Sequence, residues 1–423
     1  MKHLKLAAIL WFILLPVVSS AANDGYDYPM LGPYEATILG TPNNLKYPPP
    51  ERILARRIVL DIIPDGKKPD IFFYNDGLRC TLAYQDKQAP LVFLIAGTGA
   101  NDQSQKVLSI MKALYSAGFH VITLPSPTHP NFVISASRTH VPGDLTEDAA
   151  DLYVAMEHAW NKVKGDVEVS GFYLGGYSLG GTHAAFVAKL DEERKIFNFR
   201  KVLMVNPAVN LYNSVTKVDG LLEKIPGGQR KIGAYFNAMF AKFAEFYRKG
   251  DFIEINDEFL YTLYKSKLFS DDENCGLIGL SFRTSLAGMV FASDVMTNGG
   301  YVVPKNRELT ATDPLENYLF VYMHLSFMDY FDEYFYPYKH RKYPDLTRNA
   351  LIDSLSLKSI EEYLKSSSKI GAITNDDDFI LASGEIDYLR QLLEERLTVY
   401  PRGGHLGNLE YRDNMINLIG FFK

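Results

Sequence analysis

Gly176-Tyr177-Ser178-Leu179-Gly180 decides how the rest of this 423-residue chain is read, because of what flanks it. Ahead of it runs Val167-Glu168-Val169-Ser170-Gly171-Phe172-Tyr173-Leu174, β-branched, aromatic and of strand length. Behind it, Gly181-Thr182-His183-Ala184-Ala185-Phe186-Val187-Ala188-Lys189-Leu190 reads as a helix. A serine between two glycines on a strand-to-helix turn is a nucleophile elbow. The turn is tight enough to strain the backbone at Ser178, and Cβ atoms at positions 176 and 180 would collide there. Gly180, Ala184 and Ala188 then form a small-residue stripe that can lie close on a sheet. The helix N-terminus favours negative charge developing at Ser178.

A serine hydroxyl is a weak nucleophile until a base takes its proton and a third group fixes that base. On this architecture the partners follow in the order Ser, Asp or Glu, His. Near the end of the chain, Leu397-Thr398-Val399-Tyr400 reads as a strand that breaks into Pro401-Arg402-Gly403-Gly404-His405-Leu406-Gly407-Asn408. A last helix follows, with Met415, Leu418, Ile419 and Phe422 on one face. Of nine histidines, His3 lies in the leader and His120 inside an apolar strand. His158, His324 and His340 fall in helical patterns, and His183 points aside from the elbow. His129, His140 and His405 stand in loops, and among these only His405 follows the acid, so it is the expected base.

The acid comes from the strand Ile370-Gly371-Ala372-Ile373-Thr374, which ends in Asn375-Asp376-Asp377-Asp378. Asp378 is preferred because Phe379-Ile380-Leu381 can anchor it; Asp377 and then Asp376 remain open. Oxyanion donors are expected from the backbone N–H of Leu179 and that of Thr98. Thr98 lies in Ala96-Gly97-Thr98-Gly99-Ala100, just past the strand Pro90-Leu91-Val92-Phe93-Leu94-Ile95. That loop lacks the Gly-Lys-Ser/Thr of a phosphate loop. No zinc spacing occurs, so neither metal nor cofactor is expected.

On these residues the chain resembles the α/β-hydrolase superfamily: the elbow at Ser178, the loop at Gly97 to Gly99, the acid turn at Asp376 to Asp378, and Gly404-His405-Leu406-Gly407. The resemblance implies an α/β-hydrolase fold, a mostly parallel sheet with helices on both faces, carrying a large, mainly helical cap. It spans about 250 residues in two blocks. One departure is Ala96, where many lipases and esterases carry a histidine.

The chain divides into a signal peptide (1–22), an extended N-terminal arm (23–50), a first core block (51–206), the cap (207–368) and a second core block (369–423). The leader has Lys2, His3 and Lys5, then an apolar run from Leu6 to Val18, then small residues through Ala22, and predicts an exported, periplasmic or secreted protein. No later stretch reads as long and apolar enough to cross a bilayer. Arg52 to Ile63, Ile71 to Tyr74 and Leu78 to Tyr84 read as short strands before the α/β alternation begins. In the cap, Ile232, Tyr235, Phe236, Met239, Phe240, Phe243 and Tyr247 recur at helical spacing, with further aromatic clusters at 318–323 and 330–336. Most of these are expected to pack against their neighbours, with the inward face of the cap roofing the substrate pocket where an acyl or alcohol moiety lies. Cys80 and Cys275 could pair in an exported chain, or stay apart.

A net charge of −6 and the lack of any basic cluster argue against nucleic acid as a partner. The expected activity is hydrolysis of a small-molecule carboxylic ester, acyl or aromatic, through an acyl-enzyme. An amidase, peptidase or acyltransferase would use the same residues. A binding protein that has kept the fold without turnover is the alternative of another class.

Overall fold

Side chains alternate across the centre of the sheet: Leu91, Phe93 and Ile95 join one buried cluster, while Val92 and Leu94 join another on the opposite face. In the computed structural model, which describes residues 25–50, 52–63, 68–249, 262, 266 and 269–423, eight strands form one sheet. They are β1 Ala55–Leu60, β2 Leu78–Ala83, β3 Ala89–Ile95, β4 His120–Leu124, β5 Val169–Tyr177, β6 Val202–Val205, β7 Ile370–Asn375 and β8 Leu397–Tyr400. Their order is β1-β2-β4-β3-β5-β6-β7-β8. β1 and β2 pair antiparallel, as do β2 and β4; every other pairing is parallel. β4, β6 and β7 are buried at every residue, as strands covered on both faces must be, whereas the edge strand β1 is mostly exposed.

The helices used below are α1 Pro33–Leu39, α2 Gln105–Ser116, α3 Pro130–Ser135, α4 Leu145–Val163, α5 Leu179–Arg194, α6 Leu211–Leu221, α7 Ile232–Lys249 and α8 Asp271–Thr297. α4 and α5 cover one face of the sheet; α2 and the last helix, Arg412–Phe422, cover the other. The Asp144 side chain caps α4 by accepting from the N–H groups of Thr146 and Glu147. Ser270 and Glu273 form a capping box at the start of α8.

Between β6 and β7 the described residues are helices, turns and loops, as expected of a cap. Two buried carboxylates organise it. Asp294 accepts from the N–H groups of Tyr301, Val302 and Val303 and from the Tyr322 hydroxyl. Asp219 accepts from the N–H groups of Phe327 and Met328 and lies 3.4 Å from buried Arg283.

Several expectations need correction. The N-terminal arm is not simply extended: it contains α1, which starts on Pro33 and closes on Gly40 at φ 69°. Pro at the first helical position and Gly just past the end are ordinary helix boundaries, hidden here by the turn-rich composition around them. Ile71 to Tyr74 is not a strand: Asp70–Phe72 is a 3-10 helix, and Phe73 and Tyr74 continue it as a turn. Ile71 and Phe72 are buried while Phe73 and Tyr74 are exposed, which is the geometry of a turn. By length and composition α8 is apolar enough to cross a membrane, contrary to the sequence expectation; 61 % of that window is buried inside the protein, against α1, α3 and α6. Cys80 and Cys275 are both free and buried, in separate clusters.

The cap aromatics mostly pack on one another, as in the pairs Phe291–Tyr322, Tyr301–Tyr334 and Tyr330–Phe335. In α7, Ile232, Tyr235 and Met239 are buried against Leu222 and Ile225. The side chains of Phe240, Phe243 and Tyr247, like the leader 1–22, lie outside the described residues.

Candidate active site

Ser178 stands between β5 and α5 with φ 55° and ψ −131°, a conformation that costs a non-glycine residue about 1–3 kcal/mol. The chain accepts it because the turn is locked around it. A Cβ on Gly176 would lie 2.1 Å from the Gly180 carbonyl oxygen, and one on Gly180 would lie 2.4 Å from the carbonyl oxygens of Ile95 and Ala96. The Ser178 N–H donates to the Val205 carbonyl at 2.8 Å, tying the elbow to β6. Ser178 is 6 % exposed.

His405 Nε2 lies 2.9 Å from Ser178 Oγ. On the other side of the ring, Nδ1 lies 3.1 Å from each carboxylate oxygen of Asp378. An ionised carboxylate only accepts, so the ring proton belongs on Nδ1, and Nε2 is left to accept from the serine hydroxyl. Both His405 and Asp378 are buried, so this chain of bonds is shielded from water. These elements combine a mostly parallel sheet, helices on both faces, a strained elbow after β5, the acid after β7 and the histidine after β8.

The chain has the α/β-hydrolase fold.

That assignment rests on the strand order and the elbow of this chain. No protein-family model matches it, and no curated protein matches it in sequence. Solved structures to which it is similar include Est1E from Butyrivibrio proteoclasticus, at 12 % identity, 82 % of this chain and 94 % of that one covered, and a TM-score of 0.37. Another is a hyperthermophilic esterase from the archaeon Pyrobaculum calidifontis, at 15 % identity, 92 % and 87 % covered, and a TM-score of 0.41. A third is carboxyl esterase 2 from Tuber melanosporum, at 14 % identity, 89 % and 88 % covered, and a TM-score of 0.40.

The three aspartates after β7 have three different fates in this fold. Asp376 is half exposed and paired with Arg390 at 2.7 Å. Asp377 turns back to the histidine loop and accepts from the N–H groups of Gly404, at 2.8 Å, and Gly403, at 3.2 Å. Burial raises its pKa, opposed by those two hydrogen bonds. Asp378 alone meets His405, and it also accepts from Asn206 Nδ2 at 2.8 Å and from the Ile380 N–H at 3.3 Å.

Of the two expected oxyanion donors, Leu179 is the first residue of α5, so its N–H has no acceptor within the helix. The Thr98 N–H has no protein acceptor among the described residues, and both residues border the space beside Ser178. The Thr98 loop is held by a bond from the Gly99 N–H to Thr128 Oγ1 at 2.9 Å. Behind it, burial pushes the Tyr177 phenol up to about 12, so it is neutral near pH 7. His183 faces the core, 3.4 Å from Asp148, away from the serine. Among the described residues no group of three or more His, Cys, Asp or Glu side chains is placed to hold a metal ion.

Sequence reasoning missed the residues that hold the histidine loop. The His405 N–H donates to Thr37 Oγ1 of α1 at 2.9 Å. Gly404, at φ 55°, leaves no room for a side chain: its Cβ would stand 2.0 Å from the Pro33 carbonyl oxygen. Asn375 Nδ2 donates to the Gly404 carbonyl at 2.7 Å and to Asn408 at 2.9 Å. Arg402 donates to the carbonyls of Tyr26 and Tyr28. Nothing in the spacing of Thr37 or Asn375 marks them. Asn206 carried a signal, since a polar residue ending an apolar strand before Pro207 stands at the active edge of such a sheet.

Proposed function

We propose that the chain is an exported serine hydrolase that cleaves a carboxylic ester through an acyl-enzyme. Ser178 Oγ attacks the ester carbonyl as His405 Nε2 takes its proton. Asp378 holds the ring in the tautomer this requires and stabilises the imidazolium that forms. The N–H groups of Leu179 and Thr98 donate to the oxyanion in a site shielded from water. His405 then protonates the departing alcohol oxygen. In the second half it takes a proton from the water whose oxygen bonds to the acyl carbon, then gives it to Ser178 Oγ as the Oγ–acyl bond breaks, which releases the acid and restores Ser178. The scheme uses no cofactor.

The observation that supports this reading is the continuous hydrogen-bonded chain Asp378–His405–Ser178 on a strained elbow. A binding protein would gain nothing from holding Ser178 at that cost. A fluorophosphonate probe should label the wild type at Ser178, and Ser178→Ala should abolish labelling and ester turnover while keeping the folded circular-dichroism spectrum. Labelling at a different serine would refute the assignment. Export is tested by N-terminal sequencing of the protein from outside the cytoplasm, with a start expected near Ala22 or Asn23.

A further inference from the structure

Two cavities of very different size meet at Ser178. The wider, of about 650 Å³, is lined by His405 and Leu406, by Thr37 and Ile38 of the arm, and by Leu277 and Ile278 of α8. The narrower, of about 20 Å³, starts at Thr98, Ser178 and Leu179. It is closed by Leu211, Val215, Val218, Phe282, Phe327 and Ile380. At about 20 Å³ against about 650 Å³, the narrow cavity suits the smaller of an ester's two substituents.

The chemistry of acyl transfer assigns the two cavities. When Ser178 Oγ bonds to the carbonyl carbon, the π electron pair moves to the carbonyl oxygen and the serine proton to His405 Nε2. On collapse that pair re-forms the C=O bond and the C–O bond to the alcohol breaks. The alcohol oxygen leaves with its bonding pair and takes the proton from Nε2. The leaving oxygen must therefore lie within reach of His405, and His405 lines the wide cavity. The oxyanion faces the amides of Thr98 and Leu179. The remaining substituent of the tetrahedral carbon, the acyl chain, is left with the narrow apolar cavity.

We propose that this site selects esters of a short, acetyl-sized acyl group on a bulky alcohol. The inference rests on the serine-hydrolase reading above and sets its substrate class. The wide cavity is also lined by Lys46, Lys106 and Glu410, the first and last paired at 3.0 Å, polar groups suited to a polar alcohol such as a sugar or polyol. The narrow cavity rejects longer chains because α6 and the short helix Phe327–Asp329 are pinned together by Asp219 of α6, which accepts from the N–H groups of Phe327 and Met328. A longer acyl group would have to displace packed side chains.

The test is a matrix of steady-state kcat/KM values on the mature protein. With p-nitrophenyl acetate, butyrate and hexanoate, kcat/KM should fall from acetyl to hexanoyl by about tenfold or more. At fixed acetyl, glucose pentaacetate should outperform ethyl acetate. Leu211→Ala, which enlarges the narrow cavity, should raise the butyrate-to-acetate ratio about tenfold. Leu277→Ala, in the wide cavity, should change the alcohol series and leave that ratio unmoved. A rate that rises with acyl length, or a ratio insensitive to Leu211→Ala, overturns the inference. If Ser178 still takes the fluorophosphonate probe in that case, the serine-hydrolase reading stands without it. No hydrolysis of any ester together with no labelling overturns both.

Discussion

At the elbow, a Cβ on Gly176 would meet the carbonyl oxygen of Gly180, within the same pentapeptide. In the histidine loop, a Cβ on Gly404 would meet the carbonyl oxygen of Pro33, in a different segment of the chain. Both are glycine-bearing turns at strand ends, and each presents one side chain of the hydrogen-bonded chain Asp378–His405–Ser178. The elbow is shaped largely by its own residues and the adjoining ends of β3 and β6. The histidine loop takes its shape from α1, from Asn375 at the end of β7 and Asp377 beyond it, and from Tyr26 and Tyr28 in the arm. The serine's elbow can therefore be read locally, while the histidine it meets is set by assembly.

The sharpest break in that comparison lies at the acid that couples the two turns. Asp378→Asn should lower kcat by on the order of 10⁴ with little change in melting temperature, because the amide no longer fixes the proton on Nδ1. If Asp377→Asn proved the more damaging variant, the loop anchor would outweigh the orienting acid.

Gly404→Ala should come next. The substitution meets both a positive φ and the 2.0 Å contact with Pro33, so the loop must move and carry His405 with it. A kcat loss of about 10²-fold is expected, with a lower melting temperature. Gly384→Ala is the control, since that glycine has φ 82° but nothing within 4 Å of its Cβ. It should cost stability alone. Equal kcat losses for the two would mean that α1 does not hold the histidine.

Thr37→Val tests the arm by a single hydrogen bond. It deprives the His405 N–H of its acceptor, and a lost bond of about 1 kcal/mol corresponds to a roughly fivefold lower kcat. Thr37→Ser should restore it, which a purely steric effect would not. The smallest effect is expected at Asp376→Asn, where an exposed pair with Arg390 is lost; activity should stay within about twofold of wild type in a p-nitrophenyl acetate assay.

Legibility followed the same division. The strand, turn and helix around Ser178 could be read because hydrophobic periodicity and glycine spacing report local geometry. The strands before Asp376 and Pro401 could be read for the same reason. Helix α1 could have been read from Pro33 and Gly40, but the prolines, glycines and asparagines around it read as an extended arm. The aromatic pattern of the cap correctly marked helices. It could not say which ring faces a neighbour and which the substrate, and of the clusters at 318–323 and 330–336 no residue lines either cavity at Ser178.

By itself the sequence determined the alternation of strands and helices, the elbow, the histidine loop and the short run of aspartates from which one meets His405. These follow from interactions among residues close in the chain, where backbone sterics and periodic burial leave few options. Only the tertiary structure decided that Asp378 rather than Asp377 meets His405, that α1 holds the histidine loop, and that the space beside Ser178 is narrow on one side and wide on the other. Each of those is a distance between side chains far apart in sequence. His405 and Thr37, for example, are 368 residues apart in the chain and 2.9 Å apart in the fold. A spacing pattern carries no record of such a distance until packing has fixed it.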